Sequence, residues 1–187
     1  LYRRDAAICL NPKNYMPNQN RRRKIKTTKN LQLEIRETID MTPFWNDVLI
    51  PNLQIKHNGR PVHSLQEIQF LRDTFPDNIK QFDIYLDGEI LGGTTLFNSK
   101  KTSLAQYISA TEKGKSLDAL SKLFDFIISE YANTFTYFSF GHSNENNGRV
   151  LNQSLSYWKE SFGGSTFVQD FYKTEIDSHE LLEPFLL

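Results

Sequence analysis

The chain is poor in cysteine, glycine, histidine and long apolar runs. Its 187 residues include one cysteine, nine glycines, seven prolines and four histidines. A single thiol, Cys9, excludes an internal disulfide and a multi-cysteine zinc centre. So little cysteine leads us to expect a reducing, cytoplasmic setting. No apolar run approaches the ~20 residues that cross a bilayer. No basic stretch followed by an apolar one reads as a signal peptide. The chain opens on Leu1 instead of Met, as a segment of a longer protein would. His57, His63, His142 and His179 lack ligand-like spacing, so no metal site is expected. No Gly-x-Ser-x-Gly nucleophile elbow occurs. Net charge is absent too: 22 Lys and Arg balance 22 Asp and Glu, so a general affinity for polyanions is not expected.

Aromatic residues are plentiful. Fourteen Phe, eight Tyr and two Trp supply core volume, since each buried ring removes ~150–250 Å² from water. Disorder is thereby excluded for most of the chain. The charges are unevenly placed. Residues 1–30 hold nine Lys and Arg against one acid, Asp5, while the rest hold 13 basic and 21 acidic residues. A basic start sits on an acidic body.

Breakers and periodicity divide the chain. Residues 1–20 are expected to be an irregular N-terminal segment, with Asn11-Pro12 and Met16-Pro17 as breakers. Asn18 to Asn30 reads as a short basic helix. Leu31, Leu33 and Ile35 alternate with polar residues, which is strand periodicity. Thr42-Pro43 suits a helix start, with Thr42 as N-cap, and Pro51 should kink or divide that helix. Ser64 and Glu67 form a capping box for a helix that stops before Pro76. Ile79–Leu86 and Ile90–Phe97 flank Asp87-Gly88, a hairpin signal. Gly92-Gly93 points to a bulge or a close backbone approach. A strand at Thr102–Ala110, a helix at Ser116–Tyr131 and a short strand at Thr136–Phe140 follow. Asn147-Gly148 is expected to open a helix that ends at Gly163. Ser165–Lys173 reads as a last strand, and residues 176–187 are left as a tail. The element order predicts an α/β (α+β) domain over residues 21–175, a mixed sheet with helices on its faces.

Several segments carry a resemblance. They are Arg60-Pro61-Val62-His63-Ser64, Gln106-Tyr107-Ile108-Ser109, the run from Phe138 to Gly148, Leu151 to Leu155, and Lys159 to Gly164. Together with the element order, they resemble the GNAT-fold acyltransferase superfamily, in particular the C-terminal half of FemA/FemX-like (BioF2-like) enzymes. The resemblance implies a mostly antiparallel central sheet and transfer of an acetyl or aminoacyl group to an amine, in cell-wall or surface-polysaccharide synthesis. It implies a small-molecule acyl donor, an amine acceptor, and a missing N-terminal domain of the same chain. It also implies that Thr102–Ala110 and Thr136–Phe140 splay apart, so that a thin donor arm can lie beside them as an extra strand. The acetyl-CoA signature loop of that superfamily has two small residues after Arg/Gln. Here Thr111-Glu112-Lys113-Gly114-Lys115-Ser116 has one Gly, so acyl-CoA (acetyl-CoA) and an aminoacyl ester both stay open as donors.

Candidate residues follow from chemistry and place. Amine attack on a thioester or ester needs a base and a stabilised oxyanion. His142, after a short strand, and Glu145 are the candidate catalytic pair. Ser143, Asn144, Asn152 and Lys159 are candidate substrate contacts near them. Arg60 and His63 would face the acceptor, and Gln106 or Tyr107 would line the cleft. Lys113, Gly114, Lys115 and Ser116 would hold the donor's phosphates where a loop becomes a helix. The run Arg21-Arg22-Arg23-Lys24-Ile25-Lys26 raises tRNA as a partner, though it lacks the interleaved aromatics of single-strand binders. The alternatives are a non-catalytic GNAT-like binding module and a tRNA-dependent aminoacyltransferase.

Overall fold

A computed structural model of the chain describes residues 3–173. The strands of the main sheet are β1 Arg3–Leu10, β2 Leu33–Thr38, β3 Ile79–Leu86, β4 Glu89–Asn98, β5 Thr102–Ala110, β6 Tyr137–His142 and, after a small hairpin of β7 (Asn144–Glu145) and β8 (Val150–Leu151), β9 Ser165–Phe171. These seven lie in the order β2-β3-β4-β5-β6-β1-β9. Every pairing is antiparallel except β5 with β6. The expected mixed, mostly antiparallel sheet is thus present.

Helices cover both faces. On one, α2 (Thr42–Phe44), α3 (Ile50–His57) and α4 (Leu65–Thr74) bury Met41, Phe44, Trp45, Val48 and Ile68 with Tyr107. On the other, α6 (Ala119–Glu130) buries Leu123, Phe124 and Ile127 against Ile84, Phe138 and Phe140. Trp158 of α7 (Gln153–Glu160) closes that core, its ring centroid 5.8 Å from Phe124. Each large side chain so buried contributes ~1.5–3 kcal/mol.

Local chemistry sets the element ends. Ser64 and Glu67 do form the capping box of α4. Asp87 (φ 51°) and Gly88 (φ 80°) make the tight β3–β4 turn. Gly93 is forced by crowding, since a Cβ there would lie 2.6 Å from Asp83 Oδ1 and 2.8 Å from Phe44 Cδ2. Before Pro51 the helix widens into a π-turn over Trp45–Leu49, closed by the Ile50 N–H on the Trp45 carbonyl. Pro51 has no N–H to continue the ordinary ladder, so the chain is divided there as expected.

Four expectations are corrected. Residues 3–10 are not irregular: β1 lies between β6 and β9, pairing antiparallel with both. Met41, not Thr42, occupies the N-cap of α2. Asn147-Gly148 does not open a helix. It turns a small hairpin, β7 (Asn144–Glu145) with β8 (Val150–Leu151), using positive φ at Asn146, Asn147 and Gly148. Asn152 caps α7 instead, accepting from the Leu155 N–H at 3.0 Å. The helix expected at 116–131 is split, because Asp118 adopts a left-handed conformation between α5 (Glu112–Ser116) and α6. The tail 176–187 lies outside the described residues.

Candidate active site

The two parallel strands part after three residue pairs. Their register is Thr102 with Tyr137, Ser103 with Phe138 and Leu104 with Ser139, and it stops there. Two features drive the separation. Gln106 is an extra residue in β5, since Thr95 of β4 pairs with Tyr107 and the next residue, Leu96, with Ala105. Gly141 takes φ +66°, which bends β6. The carbonyls of Gly141 and His142 are then met by the Lys159 ammonium, at 3.4 and 2.6 Å. Lys159 is only 4% exposed. Burial lowers its pKa to about 8.

An open pocket of about 320 Å³ lies at the free end of β5. Ile108, Ser109 and Ala110 of β5 line it, with Leu49 and Asn52 from one face of the sheet and Leu120 and Trp158 from the other. It therefore passes from face to face. Asn52 Nδ2 holds Ser109 Oγ and the Ala110 carbonyl, each at 2.8 Å. A second pocket of about 260 Å³ shares Lys115, Leu120 and Trp158 with the first and adds Lys24 and Asp118. Its floor is the start of α6, where no side chain caps the first turn.

Arg21 supports this region from beneath. It is buried (4% exposed), so it is not available to the tRNA surface that the basic run raises. Its Nε donates to Ser161 Oγ at 2.9 Å, and its NH1 donates to Ser121 Oγ. The guanidinium stacks 4.1 Å from the Phe162 ring centroid. Arg22, Arg23 and Lys26 do stay on a shallow outer groove with Gln19.

The candidate residues are dispersed. Lys115 reaches the mouth of the joined pockets, and Gly114 lines the smaller one. The phosphate loop expected at 113–116 does not fit, however. The Gly114 N–H is accepted by Thr111 Oγ1 and the Lys115 N–H by the Thr111 carbonyl. Lys113 pairs with Glu89 and Lys115 with Glu112. Ser116 Oγ turns back to the Lys113 carbonyl, 2.8 Å away. Gly114 is required because a Cβ would strike the Leu91 carbonyl. His142 and Glu145 are absent from the residues lining either pocket. Glu145 instead accepts from Asn152 Nδ2 at 2.7 Å. Asn144 Oδ1 accepts the Ala6 N–H at 2.7 Å, tying the small hairpin to β1. Ser143 Oγ is buried without a partner.

Arg60 and His63 meet elsewhere, in a pocket of about 410 Å³ at the start of α4. There His63 Nδ1 is 2.6 Å from the Tyr107 hydroxyl. Gln106, the extra residue of the bulge, is exposed, and Tyr107 is buried. Sequence reasoning missed Asn52, Lys24 and Trp158 as lining residues. The one available signal was Asn52, a polar residue set into the apolar stripe of its helix.

No protein-family model matches the chain, and no curated protein matches it. Solved structures do. FemX superimposes with a TM-score of 0.71 at 10% identity, covering 95% of this chain and 64% of its own. The fold is of the FemX type. L-PGS from Bacillus licheniformis gives a TM-score of 0.57 at 11% identity, covering 97% of this chain and 64% of its own. A possible acetyltransferase from Clostridium difficile 630 gives 0.53 at 11% identity, covering 77% of this chain and 97% of its own. This chain thus spans about two thirds or less of the FemX-type structures. At these identities the likeness is one of fold. Among the described residues no helix is long and apolar enough to cross a membrane, and no cluster of metal-ligating side chains occurs.

Proposed function

We propose that the chain is an N-acyltransferase that moves an acetyl or aminoacyl group from a carrier to an amine. The observation that carries this reading is the parting of β5 from β6 beyond Leu104, with a pocket beside the freed end of β5 that is lined from both helical layers. A strand freed of its neighbour offers backbone N–H and carbonyl groups to a linear ligand. The acyl arm would enter beside Ile108–Ala110. An N–H there would face the oxyanion that forms when the amine attacks the carbonyl carbon. The new N–C bond forms, the C–S or C–O bond to the carrier breaks, and the amine's proton passes to a base. The carrier's far end would rest at the smaller pocket, over the first turn of α6 that no side chain caps.

His142, Glu145, Ser143, Asn144 and Asn152 take a supporting role in this reading. They hold the end of β6 and the start of α7, and Lys159 fixes the bend that keeps the gap open. Arg60, His63 and Tyr107 would face the acceptor.

Calorimetric titration with acetyl-CoA, followed by transfer to a panel of primary amines, tests the reading. Binding that disappears when Ser109 is replaced by a residue filling the gap, Ser109→Trp, is the expected result. Binding that survives this replacement would place the donor elsewhere. A titration without heat at several temperatures would remove acetyl-CoA as donor and turn the assay to aminoacyl esters.

A further inference from the structure

We propose that His63 is the base that receives the acceptor's proton, with Tyr107 as the residue that orients it. The inference rests on the acyl-transfer reading and assigns the proton-handling groups of that site.

The geometry singles the pair out. The Tyr107 hydroxyl oxygen lies 2.6 Å from His63 Nδ1 and 3.3 Å from the His63 backbone N–H. Two groups of one residue therefore converge on one oxygen, and the imidazole cannot turn without breaking the shorter contact. The tyrosine is itself immobilised. It is 8% exposed, and Trp45 packs edge-on against it with centroids 4.9 Å apart. Phe97 flanks the imidazole at 6.0 Å. A phenol oxygen accepting Nδ1–H leaves the lone pair on Nε2, the nitrogen left free of Tyr107. His63 lines the pocket of about 410 Å³ with Arg60, so an amine entering there would meet it.

Position links this pocket to the donor gap. Tyr107 and Ser109 lie on the same face of β5, two residues and about 7 Å apart. Ser109 lines the donor gap, and Leu49 and Ile50 of the same helical stretch face the two pockets. The acceptor and donor thus approach one strand from two directions.

The step balances. The acceptor enters as the neutral amine. Its nitrogen attacks the acyl carbon and passes one proton to Nε2 of His63, the C–S or C–O bond breaks with its electrons going to the carrier, and the imidazolium returns that proton to the carrier. Nδ1–H stays on the Tyr107 oxygen throughout, which fixes the ring's orientation.

Two measurements test this. The first needs no substrate. Nitrogen-15 NMR of the imidazole in the wild-type chain should show the neutral ring protonated on Nδ1, and Tyr107→Phe should shift the tautomer toward Nε2–H. A wild-type ring protonated on Nε2 overturns the assignment. The second is transfer from acetyl-CoA to hydroxylamine as the probe amine, with acetyl-CoA affinity measured alongside. His63→Gln should lower turnover roughly 10²–10⁴-fold, the usual worth of a general base, at unchanged donor affinity. Tyr107→Phe should fall between His63→Gln and the wild type. Turnover of His63→Gln within threefold of the wild type overturns the proposal while leaving acyl transfer intact. A wild-type chain inactive with every acyl donor overturns both, and donor titration then shows that the parent reading failed first.

Discussion

Lys159 offers a quantitative test of how the gap between β5 and β6 is held. Its ammonium is buried against two carbonyls, and among the described residues no carboxylate pairs with it. Desolvation lowers its pKa from the ordinary 10.5 to about 8. At 1.36 kcal/mol per pKa unit, that drop corresponds to about 3 kcal/mol. The sign follows from proton counting. Between pH 8 and 10.5 the unfolded chain still holds a proton that the folded chain has released, so stability rises with pH across that window. Below pH 8 the cost of burying the charge is fully present. Lys159→Met removes this titration and leaves the Gly141 and His142 carbonyls without their donor, a pH-independent loss of ~1–3 kcal/mol. At pH 7 the two effects nearly cancel, and the variants should melt within a few degrees of each other. By pH 10.5 the wild type should lead by about 3 kcal/mol more, or roughly 6–12 °C in a chain of this size. Paired thermal melts at pH 7, 8, 9 and 10 measure the difference, because groups common to both chains cancel. A difference that stays constant with pH, or that shrinks toward pH 10, refutes the assignment of a buried charge at this bend.

Three other substitutions address separate parts of the account. Asp83 is buried on β3, and desolvation raises its pKa to about 6 although Gln81 and Tyr85 donate to it. Stability should therefore increase as pH falls from about 6 toward 3.8, and Asp83→Asn should gain on the order of 2–3 kcal/mol at pH 7 while losing that dependence; urea melts at pH 4 and 7 check both. Gly141→Ala has room, its nearest neighbour being Leu104 Cδ1 at 3.7 Å, so its cost should be the ~1–2 kcal/mol of a left-handed alanine, read as a lower denaturation midpoint. Ser64→Ala should cost ~1 kcal/mol through the lost capping bond and raise amide exchange in the first turn of α4.

Where local chemistry decides, the sequence was readable. The capping box at Ser64, the Asp87-Gly88 turn and the division of the helix at Pro51 all depend on neighbours near in the chain or on backbone rules. β1 escaped because nothing local marks it. Arg3 to Leu10 has charged and small residues with no clean alternation, and the segment becomes a strand only by pairing with β6 and β9, more than 120 residues away. Asn147-Gly148 misled because the same dipeptide suits a helix start and a hairpin turn. The site was legible in part. The parting of the strands followed from the resemblance, whereas Gln106 or Tyr107 was expected to line the cleft and neither lines the pocket at the end of β5. Arg21 was hidden within a basic run because one helix turn puts neighbours on opposite sides, one in the core and two in water. His142 and Glu145 drew attention as reactive types beside a glycine, yet the glycine serves the bend and Glu145 serves Asn152.

Amide hydrogen exchange at the end of β5 tests the central claim most directly. Adding the acyl donor, acetyl-CoA first and an aminoacyl ester next, should slow exchange at Ile108 and Ala110, because their N–H groups face the side β6 has left while Ser109 is paired with Gly93 of β4. Protection confined to the outer groove of Arg22, Arg23 and Lys26, with those two amides unchanged at saturation, would contradict a donor lying between the parted strands.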